Sequence, residues 1–168
     1  EFNEFGSYAE RIQGQQVLIE NGDNFILERI PLAGYQNNTR FFKQEVTLED
    51  KKLVGKGVYT FKGESKANFI YDLNSFGKSY EKDALKFYIT DGNKSYKITD
   101  VAASDISNRD ADMNLSFKVN WENSVASFGD ELYLNLDFEK TYAQSKFEED
   151  RQQDYLFSHK THQVTTCT

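Results

Sequence analysis

The chain has 168 residues, 15% aromatic and 28% charged, with a net charge of −7. That is a globular composition, long enough to bury a sizeable core without disulfides or metals. The acidic balance argues against nucleic-acid or anionic-membrane partners, which need a basic footprint, and no run of about 18 apolar residues is present to span a membrane.

The start, "EFNEFGSYAER", has neither the basic nor the apolar region of a signal peptide. Met113 is the only methionine, so Glu1 is not expected to be a translation start, and the chain is expected to be processed or to be a piece of something longer. "QVLIE" and "FILERI" flank "NGDN", which predicts a β-hairpin. "FKQEVTL" places Phe42, Val46 and Leu48 on one strand face, with Gln44 interrupting it. In "LVGKGVYTF", Leu53, Tyr59 and Phe61 share a face, and Gly55 and Gly57 between them suggest a bulge or a close backbone approach. "ANFIYDL" and "SYKITDV" read as further strands.

One segment breaks this rhythm. In residues 79–90, Tyr80, Ala84, Phe87 and Tyr88 recur at helical spacing. Ser79 can cap that helix, Glu81 and Asp83 suit its positive end, and "DGN" stops it. "MNLSFKVNW" alternates cleanly, with Met113, Leu115, Phe117, Val119 and Trp121 on one face. "ELYLNLDF" repeats the pattern, with Leu132, Leu134, Leu136 and Phe138 inward and Tyr133 outward. The polar stretch "YAQSKFEEDRQQD" reads as a boundary, followed by a final strand in residues 153–168.

The expected fold is mainly β, α+β by content: an antiparallel β-sandwich or curved sheet with one packed amphipathic helix. The expected organisation is a leading tail over 1–31, a β domain over 32–145 with its helix near 79–90, and a linker plus first strand of a truncated module over 146–168. An unpaired strand edge invites pairing, so residues 153–168 are expected to meet a sheet edge or a second chain.

No residue constellation declares a chemistry. Both histidines, His159 and His162, and the only cysteine, Cys167, lie in the last twelve residues. On a strand, His162 opposes both His159 and Cys167, and His159 and Cys167 share a face but stand about 26 Å apart. That spacing suits neither a thiol dyad nor a zinc site. Asp105, Asn108, Asp110, Asp112 and Asn114 cluster, and from Asp110 the chain starts like a calcium loop. The glycine and glutamate that such a loop requires are Leu115 and Trp121 here, so a solvated turn is expected. Glu148, Glu149, Asp150 and Arg151 read as solvated surface rather than an acid/base pair. Among Tyr59, Tyr71, Tyr80, Tyr88, Tyr96, Tyr133 and Trp121, core packing competes with a stacking platform for glycans or peptides. Tyr133, Tyr59 and Tyr71 are the candidate binding residues. No catalytic residue, metal ligand or cofactor is expected.

The opening, "FNEFGSYAERIQGQQVLIENGDNFILERIP", resembles the segment that follows the catalytic core in bacterial transglutaminase-like proteins of the papain-like cysteine protease superfamily. Phe5-Gly6, Gly14, Val17-Leu18 and Ile30-Pro31 match that layout, although Ser7-Tyr8-Ala9 lacks the usual proline. "KKLVGKGVYTFKGESKANF", the helix, "GDELYLNLDF" and "FEEDRQQDYLF" resemble the β-rich module of unknown function C-terminal to such cores in Gram-negative bacteria. "DRQQDYLFSHKTHQVTTCT" resembles the beginning of a last β-module. The resemblance implies that the family's catalytic Cys, His and Asp lie upstream, that this chain is a non-catalytic accessory domain partnered by that core, and that it is extracytoplasmic. The rival expectation is a glycan- or peptide-binding β-sandwich module.

Overall fold

A computed structural model describes residues 3–134 and 162–168 of the chain. Strands β1 (Gln16–Asn21) and β2 (Asn24–Arg29) form a hairpin, followed by β3 (Thr39–Glu49) and β4 (Lys52–Phe61). Helices α1 (Glu64–Ser75) and α2 (Glu81–Thr90) come next, then β5 (Tyr96–Ala103) and β6 (Met113–Trp121). A second small hairpin, β7 (Val125–Phe128) and β8 (Glu131–Leu134), precedes β9 (His162–Cys167). The main sheet runs β5-β6-β4-β3-β9, antiparallel except that β9 lies parallel to β3. The fold is mainly β with packed helices, as expected; its strands form one five-stranded sheet and two separate two-stranded hairpins.

Alternation decides the sheet's two faces. Register places Phe42 opposite Tyr59, Tyr59 opposite Leu115 and Phe61 opposite Met113, all on one face. Phe69, Ile70 and Leu73 of α1 and Ala84, Leu85 and Ile89 of α2 cover that face. Phe61 stacks on Phe69 with ring centroids 4.5 Å apart, and Phe42 stacks on Tyr59 at 4.4 Å. Gln44, which interrupts the apolar pattern, is fully buried and accepts the Tyr96 hydroxyl proton at 2.9 Å. The expected close approach at Gly57 is real: a Cβ there would stand 2.4 Å from the Phe117 ring.

The opposite face is polar and ion-paired. Glu45 lies across from Lys56, which lies across from Lys118. Glu45 bonds Lys43 and Lys56 at 2.8 Å each, and Asp100 bonds Lys118 at 2.7 Å. Two like charges opposite each other on β4 and β6 are thus each neutralised from an outer strand. The lysines hold the Glu45 carboxyl down at about 2.

Several expectations need correction. "ANFIYDL" is not a strand but most of α1, so two helices pack on the sheet rather than one. Its N-terminus is capped from a distance: the Glu64 N–H donates to Asn38 Oδ1 at 3.0 Å, and Gly63 enters with φ 58° and ψ −133°. Ser79 does not cap α2; it sits in a short 3-10 turn, Lys78–Tyr80, and Tyr80 precedes the helix with no side-chain cap bond. The buried stripe of α2 is Ala84, Leu85 and Ile89, with Tyr88 partly buried, while Tyr80 and Phe87 face solvent. Leu132 and Leu134 are exposed, not inward; among the described residues β8 pairs with β7 alone, apart from the main sheet. "DGN" does stop α2: Asp91 and Gly92 both take positive φ.

Candidate interaction surface

The hairpin β1–β2 departs from the rest of the fold. Gly22, with φ 61°, takes the first position of the two-residue loop, as in a type II′ turn. Leu18 pairs with Leu27 and Glu20 with Phe25 on one face, while Ile19 pairs with Ile26 on the other. An ordinary surface hairpin buries one of its faces. Here Leu18, Phe25 and Leu27 are 63–65% exposed, and Ile19 and Ile26 about 40%.

Among the described residues, the bonds that tie the hairpin to its neighbours lie at its base. The Gly14 N–H donates to the Ile30 carbonyl and the Ile30 N–H to the Gln15 carbonyl, each at 2.9 Å. Arg29 Nη1 donates to the Gly14 carbonyl at 2.8 Å, and Ile30 is buried. Gln13 bridges two neighbouring segments, donating to the Tyr8 carbonyl and accepting the Ala33 N–H. The result is an apolar ribbon on a fixed base, tipped by the polar Asn21-Gly22-Asp23-Asn24.

The sequence-predicted binding residues scatter. Tyr59 is 3% exposed, stacked on Phe42 and Phe61 and flanked by the Arg40 guanidinium at 5.1 Å, so it offers no ring face to a ligand. Tyr71 is exposed on α1. Tyr133 is exposed on β8, where its hydroxyl donates to Glu131 at 2.6 Å; that carboxylate pushes the phenol pKa up. Tyr96 and Tyr88 contribute to or pack against the core, Trp121 packs edge-on against Tyr96 at 5.4 Å, and Tyr80 is exposed.

The C-terminal strand meets the edge of the main sheet. His162 aligns with Thr39 and Cys167 with Gln44, so the two side chains point to opposite faces. His162 packs edge-on against Tyr35 at 5.6 Å. Burial pushes the Cys167 thiol pKa up, the wrong direction for a thiolate nucleophile. His159, Leu136, Phe138, Glu148, Glu149, Asp150 and Arg151 lie outside the described residues.

The Asp105–Asn114 region is a loop built on side-chain turns. Asp105 Oδ1 accepts the Ser107 N–H and hydroxyl at 2.9 and 2.6 Å, which hold its carboxyl below the usual range. Asn108 Oδ1 accepts the N–H groups of Asp110 and Ala111 at 3.2 and 3.3 Å. Asn114 has left the loop for β6, where Thr60 donates to its Oδ1 at 2.7 Å. Among the described residues, no three His, Cys, Asp or Glu are grouped to hold a metal. A shallow depression of about 290 Å³ is lined by Asn3, Ala9, Glu10, Arg11 and Glu64. Among the described residues, no helix is long and apolar enough to cross a membrane.

The hairpin is legible in the sequence, whereas its exposure was not expected. The visible signal was apolar residues on both faces, without the polar partner face of a half-buried strand. A scan against models of known protein families, a search of curated proteins and a search of solved structures each find no match to this chain.

Proposed function

We propose that this chain is a non-catalytic accessory β domain whose β1–β2 hairpin docks it onto the catalytic core of the same polypeptide. The observation that carries the reading is the apolar character of the hairpin on both exposed faces. Contiguous exposed apolar surface marks interaction sites. Covering the exposed parts of Leu18, Ile19, Phe25, Ile26 and Leu27 would contribute on the order of 5 kcal/mol gross. A free partner loses about 4–15 kcal/mol of translational and rotational freedom on binding. A patch this small is therefore marginal for a separate protein. It suffices for a body tethered to the same chain, whose effective concentration is set by the linker.

The resemblance of Phe2–Pro31 to the segment after a transglutaminase-like core supports a core of that family as the body, and with it an extracytoplasmic location. The test is hydroxyl-radical footprinting of Leu18, Phe25 and Leu27. It is done on this chain and on a polypeptide extended upstream in its own coding frame. Docking predicts rapid oxidation in the first and strong protection in the second. Equal oxidation in both would end the docking idea. An upstream frame lacking a Cys, His and Asp-x-Thr set would end only the transglutaminase assignment.

A second reading, a glycan- or peptide-binding module, is favoured by the exposed rings of Tyr71 and Tyr133. It predicts measurable binding to a glycan or peptide array by this chain alone, lost in Tyr71→Ala or Tyr133→Ala. Undiminished binding by both variants would remove these rings from the reading.

A further inference from the structure

Lys66 is the least expected residue in the core. It is 1% exposed and stands in the first turn of α1, at the positive end of the helix dipole, where a cation is disfavoured. A buried ammonium is costly unless its protons are all engaged. Here Nζ donates to the carbonyl oxygens of Asn108, Arg109 and Ala111 at 2.9, 2.6 and 2.6 Å. An ammonium has three protons, and each has an acceptor. No carboxylate takes part; every acceptor is a backbone oxygen of the one loop.

The loop is shaped for this. Asn108 Oδ1 gathers the N–H groups of Asp110 and Ala111, leaving carbonyls 108, 109 and 111 to converge on one point. Three converging oxygens are half of the shell that a hard cation takes from a loop of this composition. We propose that the Lys66 ammonium is the resident cation of the Asp105–Asp112 loop, filling the place of a bound calcium or alkali ion. The loop therefore forms without external metal. Removing the side chain turns its cage into a binding site for a small primary alkylammonium ion. The loop in turn holds the N-terminal segment, since the Phe5 N–H points to Asp110 Oδ1 at 3.4 Å.

The test is thermal unfolding of the full chain and of Lys66→Ala, with n-propylammonium chloride, tetramethylammonium chloride, sodium chloride or calcium chloride at equal ionic strength. The variant is expected to melt about 10 °C lower, from the loss of charge-assisted bonds. Propylammonium, which carries three donor protons, recovers part of that loss in the variant and does nothing for the parent. Tetramethylammonium, which carries none, recovers nothing. Calcium leaves the parent unchanged. A variant melting within about 2 °C of the parent, equal propylammonium effects on both chains, or calcium stabilisation of the parent would each overturn the proposal. If Lys66→Ala does not fold, the parent decides by acetic anhydride labelling and peptide mapping. Lys66 must label far more slowly than the exposed Lys51, and equal labelling overturns the proposal.

Discussion

The main sheet and the β1–β2 hairpin are written in the same alphabet and end differently. In β6, Met113, Leu115, Phe117 and Val119 alternate with polar residues, and all four are buried under α1 and α2. In β1 and β2 the apolar residues are as large, yet five of them face solvent. The difference lies in the partner face. A strand with one apolar face is complete once a helix covers it; a ribbon with two asks for a covering body on both sides. Hydrophobicity alone therefore does not separate core from interface, whereas its distribution between faces does.

The sharpest way to break this comparison is to truncate one leucine in each region. Leu115→Ala removes a side chain with no exposed surface and is expected to cost about 3–4 kcal/mol in urea unfolding. Leu27→Ala, in the chain alone, should stay within about 0.5 kcal/mol of the parent. A loss at Leu27 matching that at Leu115 would mean that the hairpin is already covered.

Next comes backbone approach. Gly57→Ala drives a methyl into the Phe117 ring and should cost roughly 1–3 kcal/mol. A parent-like urea midpoint for this variant would show that β4 and β6 are less tightly packed than the rings imply. Asn38→Ala removes the distant cap of α1, at about 1 kcal/mol by the same measurement. An unchanged midpoint would mean that water replaces the cap without loss. Improvement is available at the β3–β4 turn, where Asp50 and Lys51 both hold positive φ. Lys51→Gly supplies the Asp-Gly pair that such a turn prefers and should raise stability by about 0.5–1 kcal/mol. A fall instead would place the turn in another conformation in solution.

The smallest effect concerns the polar sheet face. The Glu45 carboxyl is held at about 2 when folded, against an ordinary 4.5. Its stabilisation is thus fully present above pH 4.5 and is lost as pH falls toward 2. Glu45→Gln should flatten that part of the stability–pH curve, and high salt should shrink the difference between the two chains. Superimposable curves for parent and variant at low salt would show that the lysines do not hold this carboxyl in solution.

Much of the main sheet was legible because period-2 patterning is local: β3, β4 and β6 could be read from their own residues. α1 was not. Phe69, Ile70 and Tyr71 form a contiguous apolar run that suits a strand, and the cap that starts the helix is Asn38, far away in sequence. The buried stripe of Ala67, Ile70 and Leu73 at intervals of three was the overlooked helical signal. The role of Lys66 was equally hidden, because its acceptors are backbone carbonyls of a distant loop and carry no side-chain signature. The reading of the C-terminal strand held for the residues described: His162–Cys167 meets a sheet edge. Its parallel direction followed from nothing local.

That parallel strand has a consequence for how the chain reaches its fold. β3 pairs with β4 through a two-residue turn, so that contact can close early. Its other edge waits for β9: Thr39 finds its neighbour only when His162 has been made. On a ribosome, the helices and most of the sheet emerge while that edge of β3 is still bare, and bare edges recruit strands from other chains. The hazard is set by synthesis time rather than by final stability. Slowing translation ahead of residue 162 should lower the soluble yield even where the finished fold is unchanged.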